Sequence, residues 1–396
     1  MSKLRYKYLD SFLQIFFFLI LIFLIEGISL IALTKIQSND KATYISFPNF
    51  IASKPLPFLN VDDFEEVKMS YGKGANKCRG KIIYEESLGF PRYQKDNFKC
   101  PGEELKNGRR VTIGQPRIFS KKIMMFGGST IWGSGSADRN TIPSLLQKNI
   151  NEKISQRIKV INYGFSTVTI NQQLNLLNST RINEGDIVVF YDGGNDIFQT
   201  MVNENFKGSI IGYNQKNKLD IYLHNIKFFL SVNSNTYRLI SSIRSSYKST
   251  PNINCNINDE NKSKKLMSDG FEYYLSRIEL AKIYVESNGG IFFHFLQPSL
   301  FHKDLKYSEY EKELIKQSPL GINECEVYLI RVQNGYEHYS SEYNKKAEIK
   351  NLKNLTNILD SVSYQEEYFI DNLHITSSGN ALVSNSIFQT IQESIR

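Results

Sequence analysis

Four stretches of the chain are apolar over the length of a buried strand, and each runs into glycine or a turn residue. They are "KKIMMF" (121–126), "IKVINYG" (158–164), "DIVVFYDGG" (186–194) and "GGIFFHFLQP" (289–298). Runs without polar alternation suit parallel strands covered on both faces. Between them apolar residues recur at helical spacing, as with Ile142, Leu145, Leu146 and Ile150 inside 141–154. Helical patterns are also expected over 169–181, 268–287, 303–317 and 338–361, with a last short strand at "EYFID" (367–371) and a terminal helix over 376–394. Strand alternating with helix argues for an α/β fold built on a parallel sheet. Residues 200–266 interrupt the alternation as an insertion, helix-compatible near 220–245 and polar afterwards.

The segment before residue 121 follows a different pattern. Residues 11–34 are almost continuously apolar, long enough to span a bilayer as a helix. Lys3, Arg5 and Lys7 precede the run and are expected to stay in the cytoplasm as residues 1–10, placing the chain from residue 35 onward on the far side. A cleaved signal peptide is the rival reading. The run is long for one, and no clean small-x-small site comes after it. Glu26 interrupts the run, at about 2.5–3.5 kcal/mol if it sat at the bilayer centre; a shifted helix or a partner facing Glu26 would relieve that. Residues 35–120 carry scattered prolines and little periodicity, and read as a spacer and a small N-terminal lobe ahead of a catalytic domain over 121–396.

Composition narrows the function classes. The chain has 396 residues, with 23 Tyr and 26 Phe, enough to bury a sizeable core. The net charge of +8 is spread out, with no basic block interleaved with aromatics, so no nucleic-acid partner is expected. Cys78, Cys100, Cys255 and Cys325 form no CxxC pair, which argues against a metal or redox motif. In an exported chain they permit two disulfides; Cys78–Cys100 and Cys255–Cys325 are the sequence-local pairings among three connectivities.

In an open parallel sheet, ligands sit beyond the carboxyl ends of the strands. Four polar motifs fall there: "GGST" with Ser129, "NYG" with Gly164, "GGND" with Asn195, and "DNLH" with Asp371 and His374. Singly, each is an ordinary turn or helix cap. Together they are chemically complementary. A serine hydroxyl needs a base to become a nucleophile. A histidine serves if a carboxylate orients it, and Asp371 and His374 supply that pair. The oxyanion of acyl transfer needs preorganised donors, for which the N–H of Ser129, the N–H of Gly164 and the side-chain amide of Asn195 are the candidates. Trp132 and Gln297 sit where they would line a pocket, or equally pack in the core or form a turn. His294 alternates with Phe293 and Phe295 and reads as a core histidine.

The order and form of these motifs resemble the SGNH (GDSL-type) hydrolase family. "FGGSTIWG" resembles its first block, "INYGFS" the second, "YDGGND" the third and "DNLH" the fifth. The resemblance implies a three-layer α/β/α, flavodoxin-like fold with a five-stranded parallel sheet, and ester chemistry with no metal or cofactor. It implies Ser129 as nucleophile, His374 as base and Asp371 as its orienter. Gly164 and Asn195 would complete the oxyanion hole with Ser129. One departure is plain: Gly127-Gly128-Ser129 stands where the family has Gly-Asp-Ser. The "GGSTIWG" form resembles a subgroup of bacterial envelope and polysaccharide proteins.

The expected function is therefore an extracytoplasmic, membrane-anchored serine esterase removing O-acyl, chiefly O-acetyl, groups from an envelope or secreted glycan. The alternatives are a glycan O-acetyltransferase using the same triad, which would need a membrane partner to deliver its acyl donor, and a non-catalytic glycan-binding or assembly protein.

Overall fold

The computed structural model describes residues 78–202 except Lys81 and 86–88, then 260–302, 326–346, 351–360 and 368–395, with isolated positions within 17–31, at 236 and within 307–315. The chain divides into two units. One comprises Met1–Ser46 with Ile211–Ile253, the other Phe47–Ile210 with Asn254–Arg396.

In the first unit the described positions within 17–31 are helical, and Phe17, Phe18, Leu21, Leu24, Ile28 and Ile31 are exposed. The expected span 11–34 as a whole lies outside the described residues; among those described, no helix is long and apolar enough to cross a membrane. Glu26 has a partner here. Its carboxylate accepts from the backbone N–H of Thr236 at 3.3 Å, and Ser29 Oγ lies 3.1 Å from Thr236 Oγ1. The rest of the insertion over 203–259, and the proposed Cys255–Cys325 pair, lie outside the described residues.

The second unit opens with a small lobe. Strands β1 (Ile82–Glu85) and β2 (Phe90–Tyr93) form an antiparallel ribbon, and β3 (Phe98–Cys100), β4 (Glu103–Lys106) and β5 (Arg109–Arg110) a three-stranded meander. Cys78 and Cys100 are disulfide-bonded across 22 residues of sequence. Phe90, Tyr93, Phe98 and Leu105 form a core that Trp132, Phe165 and Val168 enter from the main domain. The lobe is thus packed into the domain. Closing a loop of this size constrains the unfolded chain by about 3 kcal/mol. Cys78→Ser/Cys100→Ser is accordingly expected to lower the thermal midpoint; an unchanged midpoint would show that the bond contributes nothing.

The main sheet has five parallel strands: β6 (Lys121–Gly127), β7 (Ile158–Asn162), β8 (Ile187–Asp192), β9 (Ile291–Leu296) and β10 (Leu352–Asn354). Their spatial order is β10-β9-β8-β6-β7. The apolar runs are strands because both faces are covered. Ile123 and Met125 of β6 point into one core, beneath α2 (Ile142–Lys153) and α7 (Ser377–Ile395). Met124 and Phe126 point into the other, with α3 (Ile170–Asn178), α4 (Gly194–Val202), α5 (Glu260–Ser287) and α6 (Glu326–Lys345). Each such side chain contributes about 1.5–3 kcal/mol by leaving water. The result is a three-layer α/β/α sandwich.

Two expected elements differ. The helix expected over 338–361 ends at Lys345, and the fifth strand is Leu352–Asn354, paired with His294–Leu296. The expected strand 367–371 is a single bridge, Phe369 to Ile375, because the chain folds back at Asp371. The strand order reverses at β6: β7 lies on one side and β8 on the other. Ligand sites form at the carboxyl end of such a reversal. The loops after β6, β7 and β8 therefore meet at one place.

Candidate active site

Strand β6 ends at Gly127, and two residues later Ser129 opens the four-residue helix α1 (Ser129–Trp132). The glycines are needed for space and not for an unusual backbone, since Gly128 sits at φ −77°. A Cβ on Gly128 would lie 2.7 Å from Asn195 Nδ2, and one on Gly127 would strike Ile131 and the carbonyl of Tyr191. The turn thus brings Ser129 against the start of α4.

His374 arrives from the far end of the sequence. Asp371 Oδ1 accepts from the backbone N–H of Leu373 at 2.8 Å and of His374 at 2.7 Å, an Asx turn that brings the ring back over its own carboxylate. His374 Nδ1 lies 2.9 Å from Asp371 Oδ2 and 3.0 Å from Oδ1. A carboxylate only accepts, so Nδ1 carries the proton and Nε2 the lone pair. Ser129 Oγ–H then donates to Nε2 across 2.6 Å. Ser129 is 7% exposed, and the His374 and Asp371 side chains are 11% and 19% exposed. The three residues form one hydrogen-bonded line, largely screened from solvent.

The expected oxyanion donors divide. As first residue of a helix, Ser129 has an N–H with no intrahelical acceptor. Asn195 Nδ2 gives one hydrogen to Val168 O at 2.9 Å, which holds the carboxamide beside Gly128. Gly164 is engaged otherwise. Its N–H donates to Asn162 Oδ1 at 2.9 Å, and a Cβ there would lie 2.7 Å from the Ile131 carbonyl carbon. Without a side chain it lets β7's loop pack against α1, and the Ser129 N–H and the Asn195 amide remain the candidates for an oxyanion position.

The two pocket candidates lie behind the site. Trp132, 3% exposed, packs between Tyr93 and Phe165 at ring separations of 5.6 and 5.4 Å, joining the lobe to α1. Gln297 is buried. Its Oε1 accepts from Thr130 Oγ1 at 3.3 Å, and its Nε2 lies against Gly194, so it braces the neighbours of Ser129 and of Asn195.

Several supports escaped sequence reasoning. Asp196 accepts the N–H of Ile170 at 3.1 Å, tying α4 to the first residue of α3. Burial and the adjacent Asp192 push its carboxyl well above the usual range. Asp192 Oδ1 accepts from Tyr274 OH at 2.5 Å and lies 3.0 Å from His294 Nε2, whose Nδ1 meets Tyr343 OH at 2.6 Å. This buried polar knot fastens α5 and α6 to the sheet where β8 turns toward Asn195. His294 is thus a hydrogen-bonded core histidine. Among the described residues, no group of three or more His, Cys, Asp or Glu side chains is placed to hold a metal ion.

A serine at a strand end, a histidine in line with it, and a carboxylate behind the histidine are the arrangement with which serine hydrolases activate their nucleophile. No protein-family model matches the chain, and no curated protein matches it. Solved structures do. A member of the lipolytic protein G-D-S-L family from Veillonella parvula is 12% identical, the match covering 69% of this chain and 99% of that one, at a TM-score of 0.35. The lipase Lip_vut3 from a goat rumen metagenome is 12% identical over 68% and 97%, at 0.38. A lipase/acylhydrolase from Enterococcus faecalis is 14% identical over 69% and 96%, at 0.35.

Proposed function

We propose that this protein is a serine esterase of the SGNH type, anchored by residues 11–34 with its catalytic domain outside the cytoplasm, that removes O-acetyl groups from an envelope or secreted glycan. The observation that carries the esterase reading is the unbroken line from Ser129 Oγ through His374 to Asp371. In the mechanism, Nε2 takes the serine proton as Oγ attacks the acyl carbonyl. The oxyanion forms against the Ser129 N–H and the free hydrogen of Asn195 Nδ2. His374 then protonates the leaving sugar oxygen, and water resolves the acyl-enzyme by the same route. The location is supported by the basic residues before the apolar run and by the Cys78–Cys100 disulfide, a bond of oxidising compartments. The glycan is supported by the resemblance of "GGSTIWG" to envelope polysaccharide proteins.

The test is p-nitrophenyl acetate turnover by the detergent-solubilised full chain, with and without mixed oligosaccharide acceptors. Turnover with free acetate as the acyl product is the expected result. Acetylated sugar in the acceptor samples would make the protein a transferase, and a rate equal to the Ser129→Ala background would overturn the catalytic reading.

Asn195 has a separate expectation. Asn195→Ala removes a donor aimed at the developing charge and should lower kcat by about 100- to 1000-fold with KM little changed. Steady-state kinetics on p-nitrophenyl acetate measure this, and a change confined to KM would place Asn195 outside the oxyanion hole.

A further inference from the structure

Helix α1 is a single turn, and a helix of that length has no stability of its own. Its terminal carbonyls need partners from elsewhere. Two buried side chains supply them. Asn162, at the end of β7, donates from Nδ2 to Ile131 O at 2.9 Å and to Trp132 O at 3.4 Å. Arg110, on β5 of the lobe, donates from Nη1 to Trp132 O at 3.0 Å and Gly133 O at 2.6 Å. Its Nη2 donates to Ser136 O at 2.6 Å and Gly102 O at 3.2 Å, and its Nε to Asp138 Oδ1 at 2.7 Å. Arg110 is 2% exposed.

The chemistry of this contact is specific. The guanidinium is a planar fork with fixed donor directions, which a lysine ammonium does not reproduce. A cation at a helix C-terminus also meets the negative end of the helix dipole. Gly133 makes the approach possible: it caps the helix at φ +95°, and a Cβ there would lie 2.9 Å from Arg110 Nη1. Ser129 is only one turn from these carbonyls, so a shift of the helix end is a shift of Oγ relative to His374.

We infer that Arg110 is a positioning residue of the Ser129 centre: by gripping the C-terminal end of α1 it holds Oγ in line with His374 Nε2, and makes the N-terminal lobe part of the catalytic apparatus. The inference rests on the serine-esterase reading above.

The test uses the full chain and a fluorescent alkyl fluorophosphonate. In the labelling step the Ser129 Oγ–P bond forms, the P–F bond breaks with loss of fluoride, and His374 takes the serine proton. Two quantities are read: the fraction of chains labelled, and the rate constant per labelled serine. For Arg110→Met the fraction should match wild type while the rate constant falls about 10- to 100-fold, the cost of a misplaced reacting group. Arg110→Lys should recover part of the rate, and KM for p-nitrophenyl acetate should stay within about twofold, because the grip acts on reactivity and not on binding. A labelled fraction that drops while the rate constant keeps its wild-type value would overturn the inference, leaving Arg110 as a fold residue only. Unchanged values in both would overturn it too. Where Arg110→Met yields no folded protein, Arg110→Lys decides on the same two readouts. Wild type that labels no better than Ser129→Ala overturns the esterase reading itself, and the inference with it.

Discussion

Ser129→Ala is expected to lower the turnover of p-nitrophenyl acetate by about 10⁶-fold, His374→Ala by about as much, and the double variant by hardly more. The reason lies in the 2.6 Å hydrogen bond between the two residues. The hydroxyl is a poor nucleophile until Nε2 takes its proton, and with this substrate the p-nitrophenolate leaves without needing that proton back. Each residue is therefore useless without the other, and the losses cannot add. Residual activity in all three variants would come from the Ser129 and Asn195 oxyanion donors alone. Losses that multiply, with the double variant far below either single one, would mean that serine and histidine act in separate steps. Retention of turnover within tenfold by Ser129→Ala would place the nucleophile elsewhere.

Asp371→Asn is expected to lower kcat by roughly 10⁴-fold while leaving the fold in place. An asparagine keeps an oxygen for the backbone N–H groups of Leu373 and His374, so the turn that presents the ring survives. The second oxygen, 2.9 Å from Nδ1, is what changes. An amide NH₂ there donates where the carboxylate accepts, and it favours the tautomer with the proton on Nε2. That nitrogen can no longer accept from Ser129, and an imidazolium would lose its counter-charge. Circular dichroism and kinetics on the same preparation measure the two halves of this expectation. A loss below about tenfold would mean that Asp371 shapes the turn but does not orient the base.

The residues of the proposed site were legible because each lies within a few positions of a strong local signal. Ser129 and Asn195 come directly after continuous apolar strands, and the three-residue spacing of Asp371 and His374 is the spacing the turn requires. The supports were illegible because their partners are distant in sequence. Arg110 is a basic residue in a polar stretch, with nothing nearby to distinguish it from a solvated one. Its burial depends on carbonyls of residues 132 and 133, which have no intrahelical partner because α1 stops after one turn. The knot of Asp192, Tyr274, His294 and Tyr343 likewise joins strand ends to two helices, through pairs separated by 20 to 102 residues.

By itself, the sequence determined four of the five strands and the α/β layering. Residues covered on both faces must be apolar throughout, and that condition is written locally in the chain. It also pointed to Ser129, His374 and Asp371, the proposed nucleophile, base and carboxylate, since that chemistry needs particular residue types at strand ends, and the three side chains do meet. Only the tertiary structure decided the fifth strand. Leu352–Asn354 is short, at the sheet edge and includes Lys353, so it carries no apolar run; it is a strand because β9 offers it hydrogen bonds. Only the tertiary structure turned Trp132 inward, engaged the N–H of Gly164 with Asn162, and set Arg110 at the end of α1. A backbone hydrogen-bonding group must find a partner when it is buried, but which partner it finds depends on what the fold brings near, and that is not a local property of the chain.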